Sequence, residues 1–133
     1  TKKAGIQFAY HNHDFEFVKY EDTLAYDHLL KNTSADLVQF ELDLYWINKA
    51  GHDPVAYFEK YPGRFPLWHV KDMEANTKDI TQVGSGTIDF DKIFAAKKVA
   101  GMEHWFVEQD TSKMDIFESL KMSRDYVNKK GYL

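Results

Sequence analysis

The sequence predicts an α/β protein of four consecutive βα units with parallel strands, and three observations carry that expectation. Four short runs rich in β-branched and aromatic residues recur along the 133 residues. Each is followed by a polar segment and then by an apolar pattern at helical spacing. The runs end near residues 11, 43, 69 and 108, so about one βα unit separates each from the next. Alternating units of this kind place helices outside a parallel sheet, joined by right-handed crossovers.

The first run is Ile6–Tyr10, closing in His11-Asn12-His13, and Leu24, Tyr26, Leu29 and Leu30 then mark a helix. The second is Leu37–Asp43. Its helix opens at Asp53-Pro54, a capping carboxylate followed by proline at the first helical position, turns Val55, Phe58 and Tyr61 inward and stops at Pro62-Gly63. The third run is Pro66–Val70; a polar loop with Gly84-Ser85-Gly86 leads to a helix from about Asp89 that presents Ile93, Phe94 and Ala96 and stops at Gly101. The fourth is His104–Glu108, and the amphipathic pattern of a last helix carries Ile116, Leu120, Met122 and Val127 before Gly131.

Four units make either an open sheet or half of a closed barrel, and periodicity does not choose. The opening Thr1-Lys2-Lys3-Ala4-Gly5 resembles a helix tail, whereas Asn128–Leu133 reads as a C-terminus. The expectation is therefore one domain over residues 1–133 with an N-terminal half missing in front, or a homo-oligomer that supplies it.

Composition narrows the partners. Hydrophobic residues make up 44% and charged residues 29%, the balance of a globular chain rather than a disordered one. With no cysteine there are no disulfides, thiolate ligands or thiol nucleophiles. A net charge of −4 leaves no basic footprint for nucleic acid, and no apolar run reaches the roughly 20 residues of a membrane helix. No secretory core stands at the start, so the compartment, cytoplasmic or periplasmic, is open.

The chemistry sits where the strands end, the rim at which parallel βα folds build their sites. The first run supplies His11 and His13 with Glu16 just beyond, the second Asp43, the third His69 and the fourth Glu108. Taken singly, a strand-end histidine is commonly structural and an Asp at such a junction commonly a turn residue. Imidazole or carboxylate at four separate strand ends points instead to a divalent metal site. The mixed N/O set suits Mn²⁺, Co²⁺, Zn²⁺ or Fe²⁺, permits Mg²⁺ and fits Ca²⁺ poorly.

Several segments, in order, resemble the sugar phosphate isomerase/epimerase family: Tyr10–Phe17, Glu41–Trp46, Tyr61–Asp72, Val83–Phe90 and Val107–Asp110. The resemblance implies strands five to eight of a xylose-isomerase-like (β/α)8 TIM barrel, that is, its C-terminal half. It also implies a metal held in the order Glu, Asp, His, Glu, the last three falling on Asp43, His69 and Glu108. The first position aligns with His11, a departure from the usual Glu, with Glu16 as the nearest carboxylate. Since the first and last Glu form the proton-transfer pair of the family's ketose epimerases, His11 points towards inosose dehydratases and enzymes of 3-keto sugars.

The implied reaction belongs to carbohydrate metabolism. A divalent ion chelated by a carbonyl and a neighbouring hydroxyl acidifies the adjacent C–H and stabilises the enediolate. Glu108 is expected as base or metal-bound carboxylate and His11 or His13 as the partner acid/base, giving isomerisation, epimerisation or dehydration. Asn12 completes the strand-end motif as a substrate-binding candidate. Trp46 is either an apolar wall for a sugar face or a core residue, and Lys71 either binds a hydroxyl or phosphate or is solvated. Gly84-Ser85-Gly86 either brings N–H groups to an anion or is a flexible turn. His28, His52 and His104 read as structural or exposed.

Overall fold

A computed structural model of the chain describes residues 1–132. In chain order, strand β1 (Phe8–His11) is followed by the small hairpin β2 (Lys19–Tyr20) and β3 (Thr23–Leu24), then helix α1 (Ala25–Asn32). Next come β4 (Val38–Asp43), α2 (Leu44–Lys49) and α3 (Pro54–Lys60). The third unit is β5 (Leu67–Val70), a second small hairpin β6 (Asp72–Met73) and β7 (Ile80–Thr81), then α4 (Phe90–Ala95) and α5 (Lys97–Ala100). The last is β8 (His104–Val107) and α6 (Ile116–Lys130).

The four main strands form one parallel sheet in the order β1-β4-β5-β8, which is also chain order. With helices between successive strands, this is the architecture of half of a (β/α)8 barrel. Side chains alternate across each strand, so register sorts them into two faces. Phe40, Leu42, Trp68 and Val70 are wholly buried on the helix side. There the Phe58 ring of α3 stacks on Trp68 at 5.0 Å, and Phe94 of α4 meets Trp68 edge-on at 5.4 Å. Burying side chains of this size contributes roughly 2–3 kcal/mol each, which fixes the sheet's helix side and leaves its polar face on the other.

Capping proceeds as expected at Asp53, whose side chain accepts from Val55 N with Pro54 at the first helical position. Asp89 and Asp115 cap α4 and α6 in the same way. The chain passes Gly101 at φ 74°, where a Cβ would lie 2.9 Å from the Gly63 Cα, so glycine is required there on both counts.

The structure departs from the sequence reading in three places. Helix α2 was not anticipated; it begins directly at Asp43, whose carboxylate accepts from Tyr45 N and Trp46 N. In α6 the buried row is Ser119, Ser123 and Val127, while Ile116 and Met122 are exposed. The cause is that Ser123 Oγ accepts a hydrogen bond from Val83 N, which turns the hydroxyl row onto the preceding loop. The Gly84-Ser85-Gly86 turn is tied to a buried carboxylate, Asp72, through Gly84 N and Gly86 N at 2.9 Å each.

Candidate metal centre

Parallel pairing puts Asp43 directly opposite His69 and His11 opposite Glu41 on the polar face. Glu108 follows β8 by one residue, its backbone N–H still bonded to Val70 O. The result is a group of His11, Asp43, His69 and Glu108 in which one ligand atom from each lies within 4.8 Å of all the others. Donors around one small divalent ion at 2.0–2.2 Å span about 3.4–4.2 Å, a spread of the same order. Two imidazoles and two carboxylates form a donor set suited to first-row divalent ions. His69 Nδ1 and Glu108 Oε2 lie 2.6 Å apart, and Lys71 Nζ stands 2.6 Å from the same Glu108 oxygen.

Asp43 anchors the group. It is wholly buried, and its two oxygens are divided: Oδ1 accepts from Tyr45 N (2.9 Å) and Trp46 N (3.0 Å), capping α2. Oδ2 faces His11 Nε2 at 3.2 Å and Lys71 Nζ at 2.9 Å. Burial alone would raise its pKa, but hydrogen bonds from His11 and His69 and the Lys71 charge override it and hold the carboxyl well below the usual range. For His69, burial works against the cation, yet Asp43, Glu41 and Glu108 outweigh it and raise the imidazole's pKa.

Lys71 is buried among three carboxylates, 2.9 Å from Asp43, 2.6 Å from Glu108 and 2.9 Å from Asp110. Burial would lower its pKa, but these neighbours raise it, so it stays an ammonium. It is therefore not a solvated lysine. Glu41, whose Oε1 is 3.2 Å from His69 Nε2, completes the surroundings.

The structure does not bring Glu16 into the group. Its carboxylate is buried under β1, accepting from Tyr10 Oη and His13 N at 2.9 Å each. His11 takes the first-strand place. Asn12 is buried, its Oδ1 accepting from Asp43 N (3.0 Å) and its Nδ2 donating to His13 O (3.2 Å), so it ties the ends of β1 and β4 together. His13 is exposed, its ring 5.0 Å from His11 and 5.4 Å from half-buried Trp46, whose Nε1 is buried without a partner. Glu41 and Asp110 were missed by the sequence reading, though each lies two residues from a chosen carboxylate, the spacing that returns a strand to the same face.

No family model matches the chain. Among curated proteins it is 27% identical over 150 residues to inosose dehydratase of Clostridium beijerinckii, covering 98% of this chain and 50% of that protein. The chain thus spans about half the length of the curated relatives it matches. A solved sugar phosphate isomerase/epimerase from Parabacteroides distasonis superposes with a TM-score of 0.85 at 35% identity, over 98% of this chain and 48% of the other. The fold is shared more distantly with an IOLI protein solved with a bound zinc atom, at a TM-score of 0.68 and 16% identity over 99% of this chain and 52% of the other. By sequence and by fold the chain is similar to the sugar phosphate isomerase/epimerase proteins, over about half of their length.

Proposed function

We propose that the chain forms the metal-bearing half of an enzyme that removes a proton beside the carbonyl of a sugar, keto-sugar or inosose. The observation that carries this reading is the convergence of His11, Asp43, His69 and Glu108 at the C-terminal rim of a parallel sheet. The inosose dehydratase relatives and the zinc reported in a protein of the same fold support it. Those relatives also favour loss of a β-hydroxyl over isomerisation or epimerisation.

A divalent ion held by these four side chains would supply Lewis-acid polarisation of the substrate carbonyl. The protein's own groups divide the remaining work. Glu108, partly exposed and next to His69, is placed to take the proton from carbon, and His13, exposed at the rim, to deliver one to the departing or neighbouring oxygen. Trp46, half-buried with its ring 5.4 Å from that of His13, offers a face for a sugar's apolar side. Lys71, held by its three carboxylates, fixes Glu108 and contributes positive charge near the developing oxyanion.

The domain assignment follows. As strands five to eight, the sheet has two open edges, β1 and β8, and Phe8 and Phe106 on those strands are exposed. Another four-stranded βα half would cover both edges and close the barrel. The test is proton exchange: the full protein loaded with Mn²⁺ or Co²⁺ is incubated with an inosose in D₂O and followed by NMR. Deuterium entering the carbon next to the carbonyl, lost on chelation, is the expected result. Metal binding without exchange on any inosose or keto-sugar would defeat the catalytic reading.

A further inference from the structure

Glu41 is a carboxylate within β4 that the reaction above does not use. It lies on the same face of the strand as Asp43, two residues nearer its start, and pairs in register with His11 on one side and Leu67 on the other. Its side chain is only 21% exposed. Withdrawing a carboxylate from water is costly unless a donor meets it, and strand interiors favour β-branched and aromatic residues over Glu. Among the described residues its one ion-pair partner is His69, whose Nε2 lies 3.2 Å from Glu41 Oε1. The other nitrogen of that ring faces the metal group, with Nδ1 2.6 Å from Glu108 Oε2 and 3.7 Å from Asp43 Oδ2. A neutral imidazole carries its proton on one nitrogen and its lone pair on the other. Whatever holds the proton therefore decides which nitrogen can bind a cation.

We propose that Glu41 is the positioning residue of His69: it accepts the Nε2–H and so presents the Nδ1 lone pair to the cation. The inference rests on the reading of His11, Asp43, His69 and Glu108 as a metal centre and adds an outer carboxylate to it. An anion behind a ligating imidazole fixes the ring's tautomer and plane and raises its basicity. Asp43 does not fill this role for His69, since its Oδ1 accepts from Tyr45 N and Trp46 N and its Oδ2 lies on the Nδ1 side. Glu108 stands on that side too. Glu41 is the carboxylate placed behind the ring.

The experiment compares the full protein with its Glu41→Ala, Glu41→Gln and Gln39→Ala variants. Gln39 lies on the same face of β4, two residues farther from the metal group, and controls for a general loosening of the strand. Calorimetric Co²⁺ titration should show Glu41→Ala binding about 10–100-fold more weakly than wild type, with Glu41→Gln between the two and Gln39→Ala unchanged. The visible spectrum of the Co²⁺-loaded protein should shift in Glu41→Ala, because the His69 ring is no longer held. In the Zn²⁺-loaded wild type, long-range ¹H–¹⁵N NMR should find the His69 proton on Nε2 and the metal on Nδ1. Metal on Nε2, a Glu41→Ala affinity within about threefold of wild type, or an equal loss in Gln39→Ala would overturn the proposal. Should Glu41→Ala not fold, the wild-type NMR and the Glu41→Gln titration decide. A wild type that binds no Co²⁺ defeats the metal-enzyme reading and this inference together, whereas one that binds metal through Nε2 defeats only the role of Glu41.

Discussion

Replacing Asp43 by Asn separates the two tasks of that carboxylate. Asparagine retains the oxygen that caps α2 through Tyr45 N and Trp46 N, at 2.9 and 3.0 Å, and puts an NH₂ donor where Oδ2 faces Lys71 and His11, at 2.9 and 3.2 Å. Removing one partner of a buried ion pair ordinarily costs 3–5 kcal/mol, but Lys71 keeps Glu108 and Asp110, so about 2 kcal/mol is expected here. Asp43→Ala loses the cap as well, adding about 1 kcal/mol. Outer partners of metal ligands are worth 10–100-fold in affinity, so losing a direct ligand should weaken Co²⁺ binding by more than about 100-fold in either variant. The pH dependence has a definite sign. The folded carboxyl titrates below its unfolded value of about 3.9, so its contribution is complete above that pH and lost as pH falls towards the folded pKa. In metal-free protein the gap in Tm between wild type and Asp43→Asn should therefore narrow below about pH 4. Calorimetric Co²⁺ titration and denaturation from pH 7 to 3 check these points. Co²⁺ bound by Asp43→Asn within a few-fold of wild type would refute the reasoning.

Two further substitutions test the surroundings. Lys71→Met leaves three carboxylates facing one another without their ammonium, so the metal-free protein should lose about 2–4 kcal/mol. Added Co²⁺ should then raise its Tm by more than it raises that of wild type; an equal rise would show that Lys71 does not neutralise the metal group. Gly86→Ala drives a Cβ to 2.3 Å from Asp72 Oδ1 and 2.4 Å from Met73 O, both held in place, and should cost more than about 2 kcal/mol by urea denaturation. Ala accommodated there at less than about 0.5 kcal/mol would mean the loop is not clamped onto Asp72.

How much of this was legible in the sequence depended on how local the signal was. The four strands and the Asp53-Pro54 helix start follow from patterns within ten residues, and the structure places them within two residues of expectation. Helix α2 escaped because it is six residues long and begins at Asp43, whose role as a candidate ligand hid its role as a cap. The orientation of α6 escaped because a hydrogen bond between Ser123 and Val83, forty residues apart in sequence, outweighs the apolar pattern of Ile116 and Met122. Glu16 was attractive as the nearest carboxylate, yet the turn at Phe15–Phe17 carries it under β1 to Tyr10, a tertiary bond with no trace in residue spacing. Lys71 was open between solvent and site because a lysine's surroundings are set by carboxylates on other strands. Asp72 looked like part of a loop and proved to be its anchor.

The same contrast explains why the four candidate ligands meet at all. Neighbouring strands of a sheet lie about 4.8 Å apart, close to the span of donors around a small ion. Asp43 and His69 are register partners; His11, opposite Glu41, and Glu108, two residues beyond the Phe106 that pairs with His69, stand diagonally to them on the strands on either side. The geometry thus comes from the sheet register and needs no ion to bring the chains together. What the register does not remove is the repulsion among Asp43, Glu108, Glu41 and Asp110. Lys71 offsets part of it from within, and the raised pKa of His69 adds proton affinity where positive charge is short. Such a group is preassembled and still deficient in positive charge, the electrostatic condition under which a divalent cation binds with little reorganisation of the protein.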